Sequence, residues 1–262
     1  MTMPTYALTD SATMVQRNLL HALRYPSMTL SILAIPVIFL LLFVYVLGGT
    51  LGAGMTGPGG DAAYIDYLAP GILIMAAAAG AGSTAVAVSV DMTEGIVNRF
   101  RTMAIARASV LTGHVVGSVI QTLISVALVV GVALLIGFRP SAGVGGWVAA
   151  IGLLTLLTFA LTWLSVGIGL VTKGPEAASN VAMPLQLLPF VGSAFVPTDS
   201  MPTGVRWFAE NQPFTPVIET LRGLLLGTPI GNSGLLAVAW CCVIALVGYL
   251  WARRVFNQEP TR

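Results

Sequence analysis

The sequence predicts an all-α integral membrane protein with six transmembrane helices, interfacial helices on the inner side and a half-inserted helical hairpin on the outer side. Three observations predict it. The 262 residues are 56% hydrophobic and only 8% charged, with a mean hydropathy of +0.89. Soluble domains carry about 25% charged residues, so this chain cannot cover a water-facing surface and must use lipid as part of its solvent. Six apolar stretches approach the roughly 20 residues needed to cross about 30 Å of hydrocarbon. Finally, Lys and Arg are distributed unevenly between the segments joining those stretches.

The spans fall near 28–49, 67–90, 111–136, 147–171, 179–196 and 234–251. Together they make one membrane domain, 28–251, between an N-terminal segment 1–27 and a tail 252–262. The fifth, SNVAMPLQLLPFVGSAFV, is short and carries Pro184 and Pro189, so a kinked or broken helix is expected there. With the N-terminus inside, nine Lys or Arg fall on inner segments and three on outer ones: Arg139, Arg206 and Arg222. That is a positive-inside bias, and an even number of spans returns the C-terminus to the same side.

From Ser11 to Arg24, helical spacing puts Val15, Leu19, Ala22 and Leu23 on one side and Arg17, Asn18, His21 and Arg24 on the other. This fits an amphipathic helix lying in the interface, or more simply a basic flank that fixes topology. The segment 91–107, DMTEGIVNRFRTMAIAR, gathers Asp91, Glu94, Arg99, Arg101 and Arg107 between two greasy runs. Each such charge at a helix centre costs about 2.5–3.5 kcal/mol, so the segment belongs outside the bilayer. Ile96, Val97, Phe100, Met103 and Ala104 share one face of a helical wheel, opposite Asn98, Arg99, Arg101 and Thr102. The acids Asp91 and Glu94 are expected at that helix's N-terminal end, where the macrodipole favours them. A solvated basic loop and a surface helix both fit these residues.

The outer segment 197–233 is too polar for a span and too apolar for a free linker. Two short helices separated at Gln212-Pro213 and resting at the outer interface would house Val205, Trp207, Phe208, Phe214, Val217 and Leu221. Cys241 and Cys242 are adjacent in an apolar run, which suits neither a disulfide framework nor a zinc site. No metal site and no catalytic residue is expected.

Four stretches carry a resemblance: YIDYLAPGIL at 64–73, EGIVNRFRTMAIARASVLTGH at 94–114, FVGSAFVPTDSMP at 190–202 and FAENQPFTPVIETLRGLLLG at 208–227. In order and spacing they resemble the permease subunit of type-2 ABC exporters, nearest the daunorubicin-resistance permease group of actinobacteria. Ala104 stands where relatives often carry proline, and Gln212 separates an Asn and a Pro that are usually adjacent.

The resemblance implies a multi-pass protein of the bacterial plasma membrane, dimeric with itself or a similar permease and powered by two copies of a separate ATPase subunit. ATP and magnesium would sit on that partner, with no cofactor on this chain. The chain has no Walker A pattern, and its only lysine, Lys173, precedes Gly174-Pro175. In such permeases the loop between spans two and three is a coupling helix docked on the ATPase. Glu94, Gly95, Arg99, Arg101 and Arg107 are therefore the coupling candidates, with Arg17, His21 and Arg24 as a second contact. The implied activity is export of a hydrophobic or amphipathic compound such as a drug, antibiotic or lipid. A polysaccharide or other cell-envelope precursor is the alternative cargo.

Among intramembrane polar residues, Ser83, Thr84, Gln121, Thr158 and Gln186 are candidates for the substrate path. An ion-coupled transporter would place ionisable residues near the midplane, whereas here Asp66 and Glu176 sit at span ends and His114 lies near the inner surface as a snorkelling residue. A membrane-embedded hydrolase would need a base beside Ser83, and His114 belongs to a different depth. No partner nucleic acid is implied.

Overall fold

The computed structural model describes residues 26–49, 60–94 and 107–257, with side chains from residues 34, 64 and 111 onward in the three segments. The described residues are helical apart from short turns. In chain order the helices are α1 (Pro26–Leu41), α2 (Gly60–Thr93), α3 (Arg107–Leu135), α4 (Val144–Val171), α5 (Pro175–Leu187), α6 (Thr203–Asn211), α7 (Phe214–Leu226) and α8 (Ser233–Asn257).

Four of them, α2, α3, α4 and α8, are long and apolar enough to cross a membrane. The first and fifth predicted spans are less regular. α1 continues through a π-helical turn, Leu42–Val46, closed by the Leu47 N–H on the Leu42 carbonyl at 3.1 Å. The fifth predicted span is interrupted, as its two prolines predict. α5 runs for 13 residues and tightens at Leu188–Val191 into a 3₁₀ turn, after which the chain leaves helical geometry.

α2 is the centre of the bundle, packed by α1, α3, α4, α5 and α7. Its sequence explains the position. The run AAAAGAGSTA at 76–85 offers small side chains around the helix, so neighbouring backbones can approach closely. With 34 residues at 1.5 Å each, α2 is roughly 50 Å long, more than the about 30 Å of a hydrocarbon core. α8 lies against α4 by the same device: Gly248 meets the backbone at Trp163 and Leu164, and Gly167 lies beneath the Trp251 ring.

The segment predicted to lie outside folds into two short helices broken at Gln212-Pro213, as expected. The two differ in burial. α6 leaves Val205, Trp207 and Phe208 exposed, whereas α7 buries Phe214, Val217, Ile218, Leu221 and Leu225 against the bundle. α7 is thus a core element rather than a helix resting at the interface, and it stops at Gly227, whose φ of +71° makes a left-handed C-cap. Arg206 organises the exposed helix by bridging Asp199 and Glu210, each at 2.7 Å. At the opposite end α8 outlasts the predicted span. Ala252 and Phe256 pack with Val88, Leu111, Val115 and Trp163, while Arg253 and Arg254 face outward.

Candidate coupling end and transport path

The end of the bundle predicted to face the cytoplasm is built by the last turn of α2 and the first turns of α3. α2 continues to Thr93, so Asp91 belongs to its C-terminal turn and not to the start of a separate surface helix. The expected N-terminal placement of Asp91 is thereby corrected. A carboxylate at a helix C-terminus opposes the macrodipole, and here it has a partner on the neighbouring helix. His114 Nε2 lies 3.0 Å from Asp91 Oδ2, with the two side chains only 11% and 13% exposed. His114 is therefore paired across two helices and does not reach alone for the interface.

Glu94 is exposed in the turn that ends α2, its N–H donating to the Val90 carbonyl at 2.9 Å. Arg107 is the first residue of α3. Gly95, Arg99 and Arg101, with Arg17, His21 and Arg24, lie outside the described residues.

The polar candidates of the bundle gather partly around one turn of α2. Ser83 Oγ donates to the Gly80 carbonyl at 2.7 Å. Thr84 Oγ1 is hydrogen bonded to Ser118 Oγ of α3, and Gly80 leaves room for Thr122 of the same helix. On another side of α2, Gly82 leaves room for the Gln186 amide of α5. Ser83, Thr84 and Gln186 are thus brought to one level. Thr158 is buried in α4 and bonds back to Leu154 at 2.7 Å, and Gln121 is half-buried on α3. Ser83 spends its hydroxyl on its own helix and His114 is held by Asp91, so the two do not form a nucleophile–base pair.

The opposite end, predicted to face outward, holds a constellation that sequence reasoning missed. The Arg222 guanidinium lies 3.7 Å from the centroid of the Tyr67 ring. Its Nη2 donates to the Ser193 carbonyl at 2.8 Å and to the Tyr67 carbonyl at 3.2 Å, while Tyr67 Oη donates to the same Ser193 carbonyl at 2.9 Å. Ser193 lies just past the broken end of α5, where the carbonyl has no helical partner. Irregular backbone within a membrane domain survives only where such groups are satisfied.

Gln212 serves the same break. It is buried, and with its amide oriented to suit both neighbours it donates to the Leu188 carbonyl (3.2 Å) and accepts from the Gly192 N–H (3.0 Å). The residue that departs from the family spacing is thus used structurally. At this end too, the Arg139 N–H donates to Asp66 Oδ1 at 3.0 Å and its guanidinium caps Leu134 at 2.8 Å, joining α2 to the end of α3.

Comparison with known proteins bears on what this arrangement does. The ABC-2 type transporter family matches residues 10–226. A daunorubicin resistance ABC transporter permease of Streptomyces coeruleorubidus is 28% identical over 260 residues, covering 98% of this chain and 90% of that protein. A probable doxorubicin resistance ABC transporter permease of Mycobacterium tuberculosis is 24% identical over 228 residues, covering 83% and 79%.

Proposed function

The chain belongs to the ABC-2 type transporter family, and from that premise we propose that it is the membrane-spanning permease of an exporter for hydrophobic or amphipathic compounds. Permeases of this family work with ATP-binding subunits, so the power comes from another chain. The observation that carries the reading is the match, over 98% and 83% of the chain, to permeases named for daunorubicin and doxorubicin resistance. The polar groups around α2 agree with such a cargo. They are hydroxyls and an amide, which can hydrogen bond an amphipathic molecule without demanding a countercharge.

In this reading the chain crosses the membrane six times with both ends in the cytoplasm, the first crossing made by α1 and its π turn. The fifth is α5 with its 3₁₀ extension, 17 residues spanning about 27 Å, close to the hydrocarbon thickness. Two copies, or one copy and a similar permease, pair with two ATPase subunits that hold ATP and magnesium. Residues 94–107 dock on the ATPase through Glu94, Gly95, Arg99, Arg101 and Arg107, and the N-terminal basic residues Arg17, His21 and Arg24 add a second contact. The inner basic segments set the orientation and α6 rests at the outer interface through Trp207 and Phe208.

Charge reversal tests the docking assignment. Arg99→Glu with Arg101→Glu is expected to abolish co-purification of the ATPase subunit while the permease still inserts in the membrane. Undiminished co-purification and transport would refute it.

A further inference from the structure

The polar side chains between α2 and α3 form a line. Asp91 pairs with His114, Thr84 bonds Ser118, and Gly80 faces Thr122. On α3 the three partners recur every four residues, which keeps them on one face. On α2 they run in the opposite order, so the two helices share an antiparallel seam of small and hydrogen-bonded residues. Such a seam brings backbones close together and ties them with polar contacts. Next to the ion pair in sequence on the two helices, Val88, Leu111 and Val115 pack with Trp163 in one apolar cluster.

The position of the pair is what gives it a role. It lies at the inner ends of α2 and α3, the helices joined by residues 95–106. If that connection bent freely where it meets them, a push on it would be absorbed locally. We propose that Asp91 and His114 are positioning residues for transport. They clamp the inner ends of α2 and α3, so that a displacement of the connecting segment moves both helices as one body. This rests on reading 94–107 as the ATPase contact. Because α2 also packs on α1, α4, α5 and α7, its displacement reaches the Gly82–Gln186 level and the outer Tyr67–Arg222 contact.

The permease, reconstituted with its ATPase subunit, provides the test through three readouts: ATPase co-purification, ATP hydrolysis and ATP-dependent daunorubicin uptake into inside-out vesicles. Asp91→Ala and His114→Ala are each expected to keep co-purification and hydrolysis while uptake falls about tenfold. The double variant should fall no further than either single one, because the two act as a unit. The exchange Asp91→His with His114→Asp should recover most of the uptake.

A covalent arm separates a clamp from a hinge. In a Cys241→Ser, Cys242→Ser background, Asp91→Cys and His114→Cys are joined by a short bifunctional methanethiosulfonate, and the linked protein is expected to transport at least as well as the unlinked one. The proposal is overturned by wild-type uptake in the single variants, by a double variant that loses the product of both effects, or by hydrolysis falling in step with uptake. It is equally overturned by inactivation on linking that reduction reverses. Failure of the underlying docking assignment is separate, since it appears in Arg99→Glu with Arg101→Glu and not here.

Discussion

Arg222 lies over the Tyr67 ring at 3.7 Å and at the same time donates to the Ser193 carbonyl, so one side chain joins α7, α2 and the broken end of α5. A desolvated cation–π contact is worth about 2 kcal/mol or more, and a hydrogen bond from a charged donor about 1.5–3 kcal/mol. Arg222→Lys keeps the charge but loses the fork that serves two carbonyls. It is therefore expected to destabilise the detergent-purified protein by about 1–2 kcal/mol, read as a lower thermal midpoint. Tyr67→Phe should cost about 1 kcal/mol by removing only the hydroxyl bond, and Tyr67→Leu about 2 kcal/mol more. A Tyr67→Leu and Arg222→Met pair with strictly additive effects would show that the contact carries no energy.

Gln212 joins the same break from the other side. Gln212→Leu leaves the Leu188 carbonyl and the Gly192 N–H without their side-chain partner, at an expected cost of about 1–3 kcal/mol. Because the loss falls on the fifth segment, proteolysis should first become faster near residues 188–200. Protection unchanged from the parent would mean that the amide is dispensable.

The two ends of the chain's logic were unequally legible. α2, α3, α4 and α8 follow from apolar length alone, and the break in the fifth segment follows from Pro184 and Pro189. The two-helix outer segment was readable from Gln212-Pro213 and its scattered aromatics. The burial of α7 was not. Counting Arg222 as an outer loop charge assumes a solvated loop, whereas its partners, Tyr67 and Ser193, lie 155 and 29 residues away in the chain. Asp91 was misplaced for a related reason. Its charge suggested that the helix had already ended, but α2 runs on to Thr93 and Asp91 meets His114 of α3. An antiparallel pairing of spans two and three was the signal that would have brought the two together.

Close approach along α2 gives a prediction on packing. A methyl group at Gly80 would collide with Thr122, and overpacking of this kind costs about 1–3 kcal/mol. Gly80→Ala should therefore lower the thermal midpoint and the yield of folded protein, and adding Thr122→Ala should restore most of the loss. Failure of the second substitution to help would show that α2 and α3 are not in contact at this level.

Orientation is open to chemical labelling. In the cysteine-free background, a membrane-impermeant thiol reagent added to whole cells should modify Arg206→Cys and Thr228→Cys and leave Arg101→Cys unmodified. Labelling of Arg101→Cys alone would reverse the proposed topology.

ATP-driven drug transport by the reconstituted permease and its ATPase subunit bears most directly on the central claim. Inside-out vesicles are expected to accumulate an amphipathic drug, with daunorubicin and doxorubicin as the probes, when ATP and magnesium are supplied, and to continue after ionophores collapse the proton gradient and membrane potential. Accumulation that needs the gradient and ignores ATP would contradict the account.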